Sequence, residues 1–514
     1  MHAIDVMVDG DRGGSSAPDD EHVEVLIVGA GLSGIGAAAR LERDRPGTSY
    51  AVLDMRDAIG GTWDLFRYPG VRSDTDMYTF SYPFRPWSGE TSMGDGEHIR
   101  TYIRDTAAEH GVPRHIHFNT KVLGASWSSA EARWTVETEV EGEPRSCTCS
   151  FLFLCTGYYD YDHGHQPDFE GLEDFGGSFL NPQFWPEDLD YTGKRVVVIG
   201  SGATAITLVP AMTDEAEHVT MLQRSPSYIA TLPEVDAMAD FLRRWLPAKL
   251  AHRIMRARNV LVTQGIYTFS QRLPKQARAV LRHLALKRLK DPEYVDTHFR
   301  PSYEPWDQRL TLAPDGDLYE VIHDGKASVV TDNIDRFVAE GIRLESGKVL
   351  EAGIVVSATG LALKRFGGIE LTVDGQPTDP GDSVAHRAVM LSGVPNLAFS
   401  FGYINTSWTL RADLSSRYVV KLLKHMDRHG YASATPEFDS GQERYPFITD
   451  LNAGYIKRGI DQFPDQGEKD PWLVRQNYML DAAAALSGNV SAGMRFSRRE
   501  LSADGAREHV GVPA

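Results

Sequence analysis

The chain has 514 residues, of which 42% are hydrophobic and 24% are charged; this is typical of a soluble globular protein, and the length predicts two or three domains. A formal net charge of −18 argues against nucleic acid as a partner, because an anionic surface repels phosphates. The cysteines, Cys147, Cys149 and Cys155, are too few and too clustered for a disulfide framework, which favours a cytoplasmic location.

Residues 1–21 are rich in Asp, Gly and Ser, and we expect a disordered tail there. This stretch lacks the basic and apolar regions of a secretory signal. No apolar run in the chain approaches the ~20 residues of a membrane span.

The first motif is VEVLIVGAGLSGIGAAARLE, residues 23–42, which reads as an apolar strand, a glycine turn and a small-residue helix. Gly29, Gly31 and Gly34 take the G-x-G-x-x-G positions, which allow close approach to a pyrophosphate and tight helix–strand packing. Asp54 ends the next strand, where an acid can bind a ribose hydroxyl. The alternative is a glycine-rich packing turn with no ligand.

A second motif, KRVVVIGSGATAITLVP at residues 194–210, repeats this pattern. The strand that follows runs into Arg224 rather than an acid, and arginine can pair with a 2′-phosphate, so NADPH is favoured over NADH. A surface arginine is the alternative. The residues expected at this second site are Gly200, Gly202, Thr204, Ala205, Arg224 and Ser225.

Two such motifs imply two bound dinucleotides. The stretches LCTGYY (residues 154–159) and SATG (residues 357–360) each close a further apolar strand. Together with the two glycine motifs, they indicate a flavoprotein.

Three longer segments carry a family resemblance. They are IGGTWDLFRYPGVRSDTDMY at residues 59–78, HFRPSYEPWDQRLTLAPDGDLYE at residues 298–320, and GVPNLAFSFGYINTSWTLRADL at residues 393–414. With them the chain resembles the type I Baeyer-Villiger monooxygenases, which are class B flavoprotein monooxygenases, and most of all their ethionamide-activating branch. The resemblance runs from about residue 23 to residue 478.

The resemblance implies roles for particular residues. Arg309 is the implied catalytic residue, because a fixed guanidinium can stabilise negative charge on oxygen without losing its proton, and Asp74 would hold it. A solvated surface ion pair is the alternative. The resemblance implies FAD contacts at Gly61, Thr62, Trp63, Asp74, Tyr78, Ser407, Trp408 and Thr409. For Ser407 and Thr409, helix capping is a further reading.

The segment FGGSFLNPQFWP, residues 175–186, matches a family fingerprint in which a histidine takes the seventh position. Here that position is Asn181, and an amide cannot titrate as an imidazole does. The matching residues, which we expect at a hinge between domains, are Phe175, Gly177, Trp185 and Pro186. The segment also reads as a linker whose aromatic residues hold one domain against another, and a linker of this kind is compatible with a hinge.

Between Phe241 and Lys290 the chain carries thirteen Lys or Arg residues and no Asp or Glu. Apolar residues in this stretch follow helical spacing, so a basic amphipathic helix can lie on an anionic membrane surface. A solvated basic face is the other reading. The polar loop DYDHGH, with His163 and His165, lacks further ligands at metal spacing, and we expect no metal site.

These features predict an α/β fold with two Rossmann-like dinucleotide-binding domains, one for FAD and one for NADPH, and a helical insertion. Residues 22–160 and 330–435 are expected to form a discontinuous FAD-binding domain, and residues 193–329 an NADPH-binding domain with its insertion at about 236–295. We expect an interdomain linker at residues 161–192. The C-terminal segment, 436–514, is expected to pack on the FAD-binding domain.

By resemblance, the predicted function is an FAD- and NADPH-dependent monooxygenase. It would form a C4a-peroxyflavin and insert one oxygen atom of O2 into a small lipophilic ketone. Heteroatom oxygenation of sulfides, thioamides or amines is an alternative, and an NADPH oxidase or reductase that inserts no oxygen is another. The predicted location is cytoplasmic, with peripheral membrane contact left open. No sequence feature indicates an oligomeric state.

Overall fold

The structure is a computed structural model that describes residues 22–89, 91–449 and 454–499. The N-terminal tail expected at residues 1–21 lies outside these ranges, as do the last residues of the chain. The described ranges form two units around separate sheets, and both units contain the predicted parallel strands.

The first sheet joins a parallel core to an antiparallel extension. The long strand Glu143–Leu154 serves both: its first half pairs antiparallel with Arg133–Val140, and its second half pairs parallel with His22–Val28. Strands that are parallel and buried on both faces read as apolar runs, which explains sequences such as HVEVLIV and SFLFL. From one edge to the other, the main path of the sheet is Gln376–Thr378, Glu370–Val373, Thr120–Ser128, Arg133–Val140, Glu143–Leu154, His22–Val28, Tyr50–Leu53 and Ile116–His117. Leu397–Phe399 also pairs parallel with Glu143–Leu154, and Met390–Leu391 and Ala385–His386 follow it at the edge.

The second sheet has five strands, all parallel. Its order is Ala327–Thr331, His218–Gln223, Arg195–Ile199, Ile354–Ser357 and Ser178–Leu180. Smaller sheets surround it and the first sheet: Ile229–Leu232 with Thr311–Pro314; Ile334–Val338 with Gly341–Leu344 and Val349–Glu351; Ser433–Pro436 with Met494–Ser497; and Arg444–Pro446 with Asp465–Gly467.

Helices cover both sheets. The α-helices are Leu32–Asp44, Thr62–Leu65, Met77–Phe80, Gly96–Glu109, Ala203–Met212, Ala237–Trp245, Ala248–Arg272, Pro274–Leu289, Pro292–His298, Asp317–His323, Trp408–His429, Gly454–Gly459 and Tyr478–Ser487. Short 3-10 helices span Val112–His115, Leu172–Asp174, Pro182–Phe184, Arg365–Gly368, Pro380–Asp382 and Ile460–Gln462.

The core of the first unit lies between its sheet and the helices Leu32–Asp44, Gly96–Glu109 and Trp408–His429. A buried ion pair joins two of these helices, because Arg40 donates from Nε to the Asp413 carboxylate over 3.0 Å. This ion pair connects the helices Leu32–Asp44 and Trp408–His429, and its two residues are 373 positions apart in sequence.

Two strand assignments differ from the expected domain boundaries. Ile354–Ser357 pairs in the second sheet between Arg195–Ile199 and Ser178–Leu180, although we expected residues 330–435 with the first. Ser178–Leu180, expected in a linker, is the edge strand of that second sheet. A short buried parallel strand is apolar in either sheet, so its composition does not tell which sheet it joins.

The C-terminal segment contacts the first unit through backbone hydrogen bonds. Asp465 donates its N–H to the carbonyl of Ser383 over 2.8 Å, and Arg387 donates to the carbonyl of Pro471 over 2.6 Å. The helix Tyr478–Ser487 lies beside Trp408–His429.

The helical insertion, defined here as Ala237–His298, contains four helices. One buried side chain fixes it to the first unit: Arg256 donates from Nη1 to the carbonyls of Tyr78, Thr79 and Ser81, over 2.9, 3.2 and 2.7 Å. These carbonyls lie at the end of Met77–Phe80, where a cation also interacts favourably with the helix dipole. None of the helices in the described ranges is both long and apolar enough to cross a bilayer.

We predict that Arg256→Met lowers the free energy of unfolding by about 2–3 kcal/mol, because three carbonyls lose a charged donor in a buried place. Arg253→Met is the matched control, since Arg253 lies on the same helix with its side chain exposed. Thermal unfolding of the two FAD-loaded variants measures the difference. Equal melting temperatures would show that Arg256 does not anchor the insertion.

Candidate active site

The carboxyl ends of both parallel sheets open into one cleft of about 1060 Å³. Ligands of open α/β sheets bind at such strand ends. The predicted site residues that line it are Gly29, Gly31, Asp54, Gly61, Thr62, Trp63, Asp74, Gly200, Gly202, Thr204, Arg224, Ser225, Arg309 and Trp408.

The first glycine turn is shaped for close contacts. A Cβ on Gly34 would lie 1.8 Å from the carbonyl oxygen of Gly29, so only glycine lets the helix Leu32–Asp44 pack on its strand. A Cβ on Gly61 would lie 2.9 Å from the Cα of Gly31. The backbone at Gly61 therefore packs directly against the first glycine turn. The N-cap residue of the helix Leu32–Asp44 is Gly31, which has no side chain to cap the helix, and this leaves the first N–H groups available to a phosphate.

Asp54 is buried at the end of Tyr50–Leu53. Its carboxylate accepts hydrogen bonds from the N–H groups of Ala30, over 2.5 Å, and of Arg56, over 2.8 Å. Burial raises the pKa of Asp54, and the two N–H donors oppose that shift. The carboxylate therefore braces the glycine turn at the position where a ribose was expected.

The second glycine turn has an open side. A Cβ on Gly200 would lie 2.3 Å from the carbonyl oxygen of Ala358, whereas a Cβ on Gly202 would have no atom of another described residue within 4 Å, apart from its chain neighbours and its own helix backbone. The helix Ala203–Met212 begins without a side-chain cap. These features fit a second dinucleotide phosphate, and Arg224 and Ser225 lie exposed at the end of the adjoining strand.

Arg309 is held in the cleft by two groups. Its guanidinium forms a two-point ion pair with Asp74: Nη2 lies 2.9 Å from Oδ1, and Nε lies 2.6 Å from Oδ2. Nη1 donates to the carbonyl of Ile404 over 3.2 Å. Such a fork fixes direction as well as charge.

The turn before Trp408–His429 forms another wall of the cleft. The indole Nε1 of Trp408 donates to Ser33 Oγ over 3.0 Å, and its ring stacks on Tyr158 with centroids 5.0 Å apart. Ser407 and Thr409 are fully buried, and their hydroxyls have no hydrogen-bond partner within the described part of the chain. These hydroxyls adjoin Thr406 and Trp408, which line the cleft, and an unpaired buried hydroxyl is a place where a polar atom of a ligand would be favourable.

Five predicted cofactor residues do not line the cleft: Gly34, Tyr78, Ala205, Ser407 and Thr409. Ala205 packs in the core beneath its helix. Tyr78 faces the insertion, where its hydroxyl accepts from Arg243 over 2.9 Å. The contact of Tyr78 with FAD was predicted from the motif alone. Nothing in that motif indicates the insertion helix whose Arg243 contacts Tyr78. Ser407 makes no capping hydrogen bond, so the capping reading does not hold for its side chain.

The fingerprint residues lie away from the cleft. Asn181 donates from Nδ2 to the carbonyl of His165 over 3.2 Å and accepts from the N–H of Gln183 over 3.0 Å. His165 lines the cleft. The hydrogen bond from Asn181 therefore supports the loop that contains His165, on the side away from the cleft. His163, which was weighed with His165 as a metal ligand, is exposed beside Asp160.

A buried cluster at the cleft was not foreseen. Tyr403 lines the cleft, and the guanidinium carbon of Arg411 lies 3.9 Å from its ring centroid. The Tyr403 hydroxyl donates to Asp481 over 2.7 Å, which ties the wall to the C-terminal segment. Burial raises the pKa of Asp481. Tyr403 lies in the segment 393–414 that carries the family resemblance, but nothing local in the sequence points to Asp481.

Comparisons with known proteins show the family of the chain. The family model for flavin-binding monooxygenase-like proteins matches residues 23–232. The FAD-containing monooxygenase EthA of Mycobacterium tuberculosis H37Rv is 50% identical over 482 residues, covering 93% of this chain and 98% of its own length. EthA of Mycolicibacterium smegmatis is 48% identical over 463 residues, covering 90% and 94% of the two chains.

Solved structures share the fold. An open crystal structure of cyclohexanone monooxygenase has a TM-score of 0.74 at 20% identity and covers 93% of this chain and 100% of its own. Oxidized steroid monooxygenase bound to NADP has a TM-score of 0.72 at 20% identity, with the same coverage.

The fold class expected from the sequence, two Rossmann-like domains with a helical insertion, is confirmed, and so are the family resemblance and the cofactors FAD and NADPH. The chain is an enzyme, and it belongs to the flavin-binding monooxygenase-like family as a relative of the FAD-containing monooxygenase EthA.

Proposed function

We propose that this monooxygenase performs Baeyer-Villiger oxidation of a small lipophilic ketone. Ketone, O2, NADPH and a proton give an ester or lactone, NADP+ and water. The observation that supports this most is the two-point ion pair of Arg309 with Asp74 inside the cleft shared by both glycine turns.

The chain offers a separate place for each cofactor. Gly29, Gly31 and Gly61 would hold FAD, with Trp408 closing the wall, while Gly200, Gly202 and Arg224 would hold NADPH. When bound, NADPH supplies a hydride and FAD supplies the activation of O2. The side chains of the cleft would orient the substrate, stabilise developing charge and exclude water.

Arg309 would carry the electrostatic part. Negative charge develops on oxygen atoms as oxygen enters beside the carbonyl, and a fixed guanidinium stabilises that charge in a partly desolvated cleft. Asp74 and the carbonyl of Ile404 hold the group in one direction, so little reorganisation is needed during reaction. The charge is also permanent, because arginine keeps its proton at any working pH.

Aromatic residues would exclude water from the same place. Tyr158, Phe401 and Trp408 line the cleft and contact one another, with ring centroids 5.0 to 5.4 Å apart. A dry wall limits the wasteful release of hydrogen peroxide.

Heteroatom oxygenation is the second candidate, because position 181 departs from the family fingerprint. The family fingerprint has histidine here, whereas an amide cannot change its protonation near neutral pH. A sulfide would give a sulfoxide with the same consumption of O2 and NADPH.

One experiment separates these reactions. The FAD-loaded protein is supplied with NADPH and with matched panels of lipophilic ketones and sulfides, and NADPH loss, peroxide release and oxygenated products are quantified. Esters or lactones support the proposal. Sulfoxides without any ester would favour heteroatom oxygenation, and complete conversion of NADPH to peroxide across both panels would mean an oxidase.

We predict that Arg309→Ala lowers the rate of product formation by about 10²–10³-fold, the scale for removal of one charge-stabilising group. Bound FAD should be unchanged, and NADPH consumption should shift toward peroxide. Arg309→Lys should recover only part of the rate, because a lysine lacks the fork that pairs with Asp74. Arg300→Ala, at an exposed arginine, is the control. An equal loss of rate in this variant would contradict the catalytic role of Arg309.

We predict that Arg224→Ala raises the KM for NADPH about tenfold or more and leaves the KM for NADH nearly unchanged, because only NADPH carries the 2′-phosphate. Steady-state kinetics with both coenzymes measure this split. A parallel rise for both coenzymes would assign Arg224 to general folding of the site instead.

We predict that Asn181→His leaves FAD content unchanged and alters the ratio of product to NADPH consumed. The larger ring must replace the hydrogen bond that Asn181 gives to the carbonyl of His165, which moves a loop of the cleft. Peroxide release is measured side by side in the two forms. Identical coupling would argue against any role of this position in the catalytic cycle.

A further inference from the structure

The outer surface of the helical insertion exposes large apolar side chains in register. On Ala237–Trp245, Met238, Phe241 and Trp245 follow i, i+3, i+7 spacing, which puts them on one face. Phe241 is 63% exposed and Trp245 is 69% exposed. Contiguous exposed apolar surface of this kind marks an interaction site in a soluble protein.

The next helix, Ala248–Arg272, extends this surface. Leu250, Ile254 and Leu261 form one exposed row at i, i+4, i+11, and Leu261 is 57% exposed. A second exposed row begins beside it and continues past the helix end: Val262, Ile266, Phe269 and Leu273. We call these rows, together with the face of Ala237–Trp245, the apolar face of the insertion.

The insertion that carries the apolar face is also rich in cations. Between Phe241 and Lys290 the sequence has thirteen Lys or Arg residues and no acid, in a chain of net charge −18. Several have other roles: Arg256 is buried, and Arg258, Arg278 and Arg282 pair with carboxylates. The exposed cations that have no carboxylate partner within the described ranges are Arg244, Lys249, Arg253, Arg272, Lys275, Lys287, Arg288 and Lys290.

The opposite side of the same helix packs behind one wall of the cleft. Val260 packs against Tyr403, which lines the cleft, while its neighbour Leu261 points outward. Further along, Tyr267 contacts the ring of Trp306 at 5.3 Å, three residues before Arg309. One helix therefore separates the apolar face from the reaction site.

We propose that the apolar face binds the surface of an anionic phospholipid bilayer and that lipophilic substrate enters the cleft from that bilayer. Lysine and arginine attract anionic headgroups, while aromatic and aliphatic side chains enter the headgroup boundary. The helices lie on the bilayer, since none described can cross it. The rest of the chain is strongly acidic and is repelled, which orients the insertion toward the lipid. The substrate part of this proposal depends on the proposed monooxygenase function, whereas the lipid binding does not.

Vesicle co-flotation of the FAD-loaded full chain tests the binding. We expect binding to equimolar phosphatidylcholine–phosphatidylglycerol vesicles, with little binding to phosphatidylcholine alone and a decline as salt rises. Phe241→Ser with Trp245→Ser should weaken binding at least about tenfold, and Lys249→Glu with Arg253→Glu should do the same. Leu123→Ser and Lys348→Glu, exposed positions on other parts of the surface, are the matched controls.

Turnover tests the substrate route. The original chain and the Phe241→Ser/Trp245→Ser variant should oxidise a short water-soluble ketone or sulfide at equal rates. The variant should be slower with a long-chain ketone or sulfide that is dissolved in anionic vesicles. Oxidation of neither in any form would contradict the proposed function and leave the flotation result standing. The bilayer proposal would be overturned if the original chain did not float with the vesicles, or if the variants floated equally well. It would also be overturned if the chain bound no lipid and the variants changed from dimer to monomer. That result would assign the apolar face to contact with a second copy of the chain.

Discussion

The two-point contact between Arg309 and Asp74 is the constraint on which the rest of the site depends. Asp74 follows the glycine pair at Gly61 in the first unit, and Arg309 precedes the strand Thr311–Pro314 near the second. The third contact, to the carbonyl of Ile404, adds the turn before the helix Trp408–His429. Three distant parts of the chain thus meet at one guanidinium, and a shift in any of them would redirect its charge.

The parts of this arrangement that follow from local rules could be predicted from the sequence. The glycine turns, their strands and their helices are set by contacts within about thirty residues, and Gly34 shows why, because a Cβ there would collide with the Gly29 carbonyl. The pair of Arg309 and Asp74 required the family resemblance. Their separation in the sequence gives no hint that they meet.

Other parts depend on contacts that no local pattern reveals. Ile354–Ser357 joins the second sheet because of its neighbours, not its composition. Tyr78 faces Arg243 and Arg256 of the insertion rather than the cleft. The cluster of Tyr403, Arg411 and Asp481 brings a C-terminal carboxylate to the cleft wall, and Asp481 lies 78 residues after Tyr403 and 70 residues after Arg411 in sequence.

The central claim is that oxygen from O2 enters an organic substrate in this cleft. Reaction of the FAD-loaded protein with NADPH and a lipophilic ketone under ¹⁸O2, followed by mass spectrometry of the product, tests it most directly. We expect an ester or lactone that contains one ¹⁸O atom, with NADPH consumed in equal amount. A product without ¹⁸O, or NADPH consumption that yields only hydrogen peroxide, would contradict it.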